Sequence, residues 1–140
     1  MKIPVMLSIC GRQAYMDQDP DVIELVTEGT MEFRDNGWDI SYEESDLTGL
    51  SGVTTTFRVE KGRILLSRSG RLSSEMQFQE GVTHSSLYQM EFGALLITVC
   101  ATRIFAQLGE GVGTIDLVYD IDIEQSATGT VDYHLEIKPK

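Results

Sequence analysis

A small set of polar side chains alternates with apolar ones, and this set is where the chain could bind an anion. Arg68 has the same parity as Ile64 and Leu66, so a strand would turn its guanidinium toward apolar neighbours. A buried Arg is rare unless it is paired, because desolvating an unpaired charge costs several kcal/mol. Glu44 shares its parity with Tyr42 on another apolar face, and it is therefore the predicted partner of Arg68.

Thr27 and Tyr119 also carry polar atoms on strand faces that are otherwise apolar. If the strands close into a barrel, such groups meet inside it or at its mouth, where the head group of a ligand would bind. The predicted ligand-binding residues are therefore Arg68, Glu44, Tyr42, Tyr119 and Thr27. Two alternatives stay open. Arg68 and Glu44 form a purely structural ion pair, or Arg68 extends its guanidinium into solvent from a strand end.

No group of residues has the spacing of a catalytic site. A nucleophile triad needs a Ser or Cys and an acid gathered around a His, and the histidines are His84 and His134. Ser85 and Ser86 follow His84 without the glycine pattern of a nucleophile elbow. His134 has the parity of the outward face of the last predicted strand, so we expect it to be exposed. The sequence predicts no catalytic residue, and an enzyme is the least favoured class.

Neither a metal site nor a cofactor site is predicted. Asp120, Asp122 and Glu124 alternate along one strand, where the side chains run parallel and the Cα atoms stand about 7 Å apart. Calcium requires oxygen atoms within about 2.5 Å of one centre, so an acidic surface strip is the better interpretation. The two cysteines lack a second zinc ligand at a standard spacing. The glycines between 109 and 113 open onto a strand rather than a helix, which is typical of a turn and not of a phosphate site.

Period-two alternation of apolar and polar residues is the dominant pattern, and it predicts strands. The clearest example runs from Gly113 to Gln125, where apolar side chains alternate mostly with acidic ones. The triplet Asp35-Asn36-Gly37 and the pair Lys61-Gly62 mark tight turns between such runs. Open sheet edges invite aggregation, so a sheet of this many antiparallel strands closes or folds over. We predict an all-β fold, and a closed or nearly closed antiparallel up-and-down β-barrel of about eight to ten strands is favoured over a sandwich. Residues 1–140 are expected to form this single domain.

Charge and the absence of targeting patterns narrow the partners and the location. The chain has 22 acidic and 11 basic residues and a formal net charge of −11, and such a surface repels phosphates and anionic lipid heads. We therefore expect neither nucleic acid nor a membrane as a partner. The N-terminal stretch lacks the pattern of a signal peptide, so the predicted location is the cytoplasm. Cys10 and Cys100 are then expected to be reduced, although a disulfide would form if their Cα atoms lay within about 7 Å.

A set of short motifs, in order and at fixed intervals, carries a resemblance to a known family. The motifs are Tyr42-Glu43-Glu44, Arg68-Ser69-Gly70, Phe78 with Gly81, Tyr88 with Phe92-Gly93, and Tyr119-Asp120. Over almost its whole length the chain resembles the YwiB-like proteins, small bacterial proteins found mainly among Gram-positive bacteria and classed as a domain of unknown function. The resemblance implies a calycin-like barrel, similar in shape to lipocalins and fatty-acid-binding proteins. It implies no activity, so no catalytic residues are transferred.

Two hypotheses about function follow. The first is a binding module whose barrel interior or mouth accepts a small anionic or amphipathic molecule; it rests on the predicted polar cluster and on analogy of fold. The second is a structural or protein-interaction module that acts through its outer surface or as a homodimer. In that case the barrel would be filled by its own side chains, and the candidates are Trp38, Phe33, Met31, Tyr42 and Tyr119.

Overall fold

Ten antiparallel strands form one sheet, as the alternation predicts. The computed structural model describes residues 2–15, 21–45, 51–70, 73–90, 93–124 and 127–140. The strands are β1 (Ile3–Tyr15), β2 (Asp21–Arg34), β3 (Gly37–Glu43), β4 (Val53–Glu60), β5 (Arg63–Gly70), β6 (Ser74–Phe78), β7 (Thr83–Met90), β8 (Gly93–Gly109), β9 (Val112–Ile123) and β10 (Ala127–Pro139). No helix in these ranges is long and apolar enough to cross a membrane.

The sheet curls into a nearly closed barrel, which confirms the predicted fold. Its strand order is β6-β5-β4-β3-β2-β1-β10-β9-β8-β7, so β6 and β7 stand at the two ends of the sheet. Two isolated bridges close the wall there, one between Gln79 and Val82 and one between Glu80 and Ala101. The N–H of Gly81 also donates to the carbonyl of Ala101 at 2.9 Å. Among the described residues, β6 and β7 share no regular ladder, so the wall is closed here by isolated contacts.

The turns follow the residues that predicted them. Asp35 and Asn36 both have positive φ, at 50° and 63°, and join β2 to β3. Gly62 has a φ of 76° in the turn between β4 and β5. These conformations suit the right-handed twist of a hairpin and are tolerated by Asp, Asn and Gly. Of the other residues that the sequence singles out, Phe92 and Gln125 lie outside the described ranges.

The inward-facing residues of every strand form one apolar core. Phe57, Phe78, Met31 and Ile40 are among the largest side chains that are fully buried, and burial of each contributes about 1.5–3 kcal/mol. Phe33 is the exception to the predicted interior set, because its side chain is 56% exposed. It lies next to the last residue of β2 and packs edge-to-face on Trp38, with ring centroids 5.1 Å apart.

Two irregularities in the pairing leave gaps in the wall. β3 pairs with β2 only from Thr30 to Arg34, so the first half of β2 is held by β1 alone and a split separates it from β3. β8 pairs with β7 only as far as Cys100, and its register with β9 shifts between Ala101 and Arg103. In the described part of the chain, β8 beyond that shift is therefore paired on one edge only. Both cysteines are free thiols.

Candidate functional site

A cavity of about 290 Å³ lies inside the barrel, at the end where β1, β3 and β5 finish. We call it the mouth cavity. Its wall consists of inward-facing residues of β1–β5, β9 and β10, together with the residue that follows β3. These are Ile9, Gly11, Gln13, Ile23, Leu25, Tyr42, Glu44, Phe57, Leu66, Arg68, Leu117, Tyr119, Val131 and Tyr133. Four of the five predicted ligand-binding residues are therefore brought together here.

A row of polar side chains crosses four neighbouring strands beside this cavity. The pairing register places Tyr42 opposite Thr55, Thr55 opposite Arg68, and Arg68 opposite Ser74. Directly opposite residues of an antiparallel sheet share a face, so all four point toward the barrel interior. Strand alternation determines that these side chains point inward, and the pairing register determines which of them lie next to each other.

Glu44 is held in place by a buried hydrogen bond. The hydroxyl of Thr55 donates to Oε2 of Glu44 at 2.6 Å, within the range of a charge-assisted O–H···O⁻ bond. The Thr55 side chain is fully buried and Glu44 is 8% exposed. The backbone N–H of Glu44 also donates to the carbonyl of Val53 at 2.8 Å. The carboxylate consequently has a defined position at the wall of the mouth cavity.

The structure corrects the predicted ion pair between Arg68 and Glu44. In the described ranges no ion pair within 4.0 Å joins the two, because Thr55 on β4 lies between their strands and bonds Glu44 itself. The Nε of Arg68 is buried and has no hydrogen-bond partner. The same holds for Oγ of Ser74, the cross-strand neighbour of Arg68. Arg68 thus brings a cation with unused donor capacity to the mouth cavity.

Three tyrosines complete the polar part of the wall. The hydroxyls of Tyr42 and Tyr133 are 3.4 Å apart. Burial raises the pKa of Tyr42 to about 12, and the same cause holds the pKa of Tyr133 well above its usual value. Smaller effects on the pKa of both phenols come from Arg68, which lowers it, and from Glu44, which raises it. Both charges therefore lie near the same pair of neutral hydroxyls. Tyr119 packs on Phe78 with ring centroids 4.5 Å apart.

Thr27 is the predicted residue that lies elsewhere. It is half-buried beside the split between β2 and β3, outside the mouth cavity. Its hydroxyl donates to the carbonyl of Glu28 at 3.4 Å. The parity of Thr27 matches that of Leu25, which does line the cavity, but the β2–β3 pairing that would enclose Thr27 stops at Thr30.

The histidines lie outside the mouth cavity. His134 is on the outer wall, where its Nδ1 is 2.5 Å from Oδ1 of Asp116, and its side chain is 39% exposed. The hydrogen bond to Asp116 raises the pKa of His134. The Nε2 of His84 is buried without a hydrogen-bond partner. Within the described ranges, no group of three or more His, Cys, Asp or Glu residues is placed to hold a metal ion.

Sequence reasoning missed several residues of the cavity wall. Tyr133 shares its strand face with Val131 and Leu135 on β10, so the sequence predicts that it points inward. Nothing in the sequence predicts that it lies against Tyr42. Gly11 leaves space on the opposite strand, since a Cβ there would be 3.7 Å from the ring of Tyr133. Both positions depend on the register between β1 and β10, where Gly11 pairs with Tyr133.

Comparisons with known proteins give one consistent result. Residues 7–137 match the family model described as "Domain of unknown function (DUF1934)". The "Uncharacterized beta-barrel protein YwiB" of Bacillus subtilis (strain 168) is 32% identical over 108 residues, which are 76% of this chain and 74% of that protein. The crystal structure of the ywiB protein from Bacillus subtilis superposes with a TM-score of 0.83 at 27% identity, covering 96% of this chain and 92% of that one.

Proposed function

The chain belongs to the DUF1934 family, which is described as a domain of unknown function. We propose that the mouth cavity binds a small anionic or amphipathic molecule. The sequence resemblance to the YwiB-like proteins is confirmed by the same matches. The residues proposed to contact the ligand are Arg68, Glu44, Tyr42 and Tyr119, with Tyr133 added from the geometry; Thr27 is left out. We place this binding in the cytoplasm, where free thiols such as Cys10 and Cys100 persist.

The observation that carries the proposal is the buried Nε of Arg68, which has no hydrogen-bond partner. A buried donor without a partner costs about 1–3 kcal/mol, and more when it is charged. Such a group is rare in folded proteins and calls for an explanation. A carboxylate or phosphate would remove the cost, because its oxygen atoms accept parallel hydrogen bonds from a guanidinium. Arg68 is thus the proposed anchor for an anionic head group.

The remainder of the wall suits an apolar tail. Leu25, Leu66, Leu117 and Val131 line the same cavity as Arg68. Ligand sites combine such apolar walls with a few polar groups that orient the ligand. Phe57, which lines the mouth cavity, and Phe78, which packs on Tyr119, are both fully buried, so the proposed site is a pocket at one end of the barrel and not a channel through it.

The test is native mass spectrometry of the protein purified from its own host, with solvent extraction of bound molecules. We expect an additional mass that Arg68→Gln loses. Arg103→Gln is the matched control, because Arg103 is exposed on β8 and should keep the bound mass. Gly11→Val keeps both charges and fills the cavity, so it should lose the mass as well. A bound mass that Arg68→Gln and Gly11→Val both retain would refute the proposal.

A second candidate is an interaction module that forms a homodimer through β8. Its support is the edge between Phe105 and Leu108, where β8 in the described ranges is paired with β9 only; just before this edge, the N–H of Ile104 donates to Oε1 of Glu80 at 2.7 Å. Phe105 on this segment is 46% exposed, and an unpaired strand edge can add a strand from a second chain. Light scattering coupled to size exclusion tests it. A dimer that Phe105→Lys converts to a monomer supports this candidate, and a monomeric wild-type protein rules it out.

A further inference from the structure

A cysteine, a histidine and an aspartate lie in one row on the outer wall of the barrel, away from the mouth cavity. The pairing register places Cys10 of β1 opposite His134 of β10, and His134 opposite Asp116 of β9. Directly opposite residues of an antiparallel sheet share a face, with Cβ atoms about 5 Å apart. We call these three residues the thiol row. It brings a nucleophile, a base and an acid together on neighbouring strands.

The imidazole in the thiol row is oriented by the carboxylate. Nδ1 of His134 is 2.5 Å from Oδ1 of Asp116, whereas Nε2 is 3.5 Å from Oε1 of Glu136, at the outer limit for a hydrogen bond. A histidine that is held through Nδ1 can accept a proton at Nε2. Among the described residues, no hydrogen bond joins this imidazole to the Cys10 thiol, and such contacts commonly tighten only when a reaction partner binds. Nε2 is therefore the atom that can accept the thiol proton.

The charged groups around the thiol row are mostly acidic. Those that share its face at the neighbouring positions of β1, β2 and β10 are Arg12, Glu24, Asp132 and Glu136. A surface with this excess of carboxylates, on a chain with a net charge of −11, attracts cations and repels anions. The hydrogen bond to Asp116 also raises the pKa of His134, so the imidazole keeps its proton to a higher pH. An imidazolium beside a thiol favours the thiolate, which is the nucleophilic form.

We propose that Cys10 is a reactive thiol that exchanges with small cationic disulfides, with His134 as its proton acceptor and Asp116 as the residue that positions His134. The thiolate of Cys10 attacks one sulfur of a disulfide R–S–S–R, whose S–S bond breaks while a new one forms between Cys10 and that sulfur. The other half leaves as RS⁻ and takes the proton from the imidazolium. Cys10 is oxidised and the leaving sulfur is reduced, so the disulfide itself is the oxidant. This site is independent of the mouth cavity and of the function proposed for it.

The experiment compares the two cysteines as single-cysteine proteins. Cys100→Ser leaves Cys10, and Cys10→Ser leaves Cys100, which is the matched control because both are half-buried free thiols. Each also lies opposite one carboxylate, Glu24 or Asp120, but the other neighbour of Cys100 is Thr83 instead of a histidine. Intact mass spectrometry follows the adduct formed with cystamine near neutral pH. We expect Cys10 to react at least about threefold faster, a modest ratio because a stabilised thiolate is also a weaker nucleophile.

His134→Gln in the Cys100→Ser protein should remove this difference, because it takes away the proton acceptor. The ratio of the two rates should also fall as pH rises through the raised pKa of His134, since the imidazole then loses its proton. Asp116→Asn should move that fall to lower pH, an effect that a purely structural role of Asp116 would not produce. Equal rates of the two cysteines, or an unchanged rate in His134→Gln, would overturn the proposal. Unfolding curves verify that each variant is folded.

Disulfides of different charge test the class of reaction partner. Cystamine is a dication, bis(hydroxyethyl) disulfide is neutral, and dithiodiglycolate is a dianion. After each rate is divided by that of N-acetylcysteine amide, a free neutral thiol, Cys10 should react fastest with cystamine and slowest with dithiodiglycolate. The differences should narrow as salt is added, because salt screens the surface charge. An absent or reversed order would overturn the preference for cations.

Discussion

Thr55→Val is the sharpest test of the polar row inside the barrel. Valine has nearly the shape of threonine, so the substitution removes the buried hydroxyl without opening a cavity. It takes away the 2.6 Å hydrogen bond to Oε2 of Glu44, and the carboxylate remains 8% exposed at the same place. The expected result is a clear loss of folding stability, because a buried charged acceptor loses a donor that water reaches poorly.

The magnitude follows from the charge and the burial of the two partners. Hydrogen bonds to charged groups contribute about 1.5–3 kcal/mol, and the Thr55 side chain is fully buried, so the loss should lie in that range. For a chain of this size, about 2 kcal/mol corresponds to a Tm lower by roughly 4–8 °C. In Glu44→Gln the acceptor is neutral, so Thr55→Val should cost less there, about 1 kcal/mol.

Equilibrium urea unfolding followed by circular dichroism measures both numbers. Thr54→Val is the matched control, because Thr54 neighbours Thr55 on β4 but points to the outer face and is only half-buried. We expect the control to change the free energy of unfolding by less than about 0.5 kcal/mol. Equal effects of the two substitutions, or an equal cost of Thr55→Val with and without Glu44→Gln, would refute the described role of this bond.

Three further predictions concern the backbone and two titrating groups. Gly70→Ala should lower the free energy of unfolding by at least about 2 kcal/mol, because Gly70 has a φ of +117° and a Cβ would lie 2.3 Å from a carbonyl oxygen. Gly62 has a φ of +76° and open space around it, so Gly62→Ala should lower the free energy of unfolding by only about 1 kcal/mol in the same urea assay. The hydrogen bond to Asp116 raises the pKa of His134. The stabilisation that it implies is fully present below the ordinary pKa of histidine and is lost as pH rises through the raised pKa. In an NMR titration, Asp116→Asn should return the pKa of His134 toward its ordinary value, and an unchanged pKa would contradict the described pair. Burial raises the pKa of Tyr42 from its ordinary value of 10.0 to about 12, so the stability that the neutral phenol provides should fall as pH rises from the first value to the second. In an ultraviolet titration, Tyr42→Phe should lack the step near the raised pKa.

The faces of the strands could be predicted from the sequence because alternation is a local property. Strand parity turns Leu117 and Tyr119 to the same side of β9, and both are buried in the barrel. Arg68 and Glu44 were assigned to the interior by the same rule, and both line the mouth cavity. The turn at Asn36 was predictable because few residues tolerate a positive φ.

The partners within the site could not be predicted, because they depend on register between strands. Nothing in the sequence shows that Thr55 lies between the strands that carry Glu44 and Arg68. Because of this position, Thr55 donates a hydrogen bond to Glu44 in place of the predicted ion pair, and the Nε of Arg68 has no hydrogen-bond partner. Thr27 had the correct parity but lies beside the split where β2 and β3 part. Phe33 was assigned to the interior, although the strand ends beside it and the barrel does not enclose it.

The pairing of β1 with β10 has a consequence for the kinetics of folding. These two strands lie next to each other at the middle of the sheet order, with Val5 opposite Pro139 and Tyr15 opposite Gly129. Every other neighbouring pair consists of strands that are consecutive along the chain, whereas this one connects the first strand to the last. Closing so long a loop costs conformational entropy before the contacts between β1 and β10 can form, and a high contact order slows folding. We expect the meanders β1–β6 and β7–β10 to form first, and their union along β1 and β10 to be the slow step.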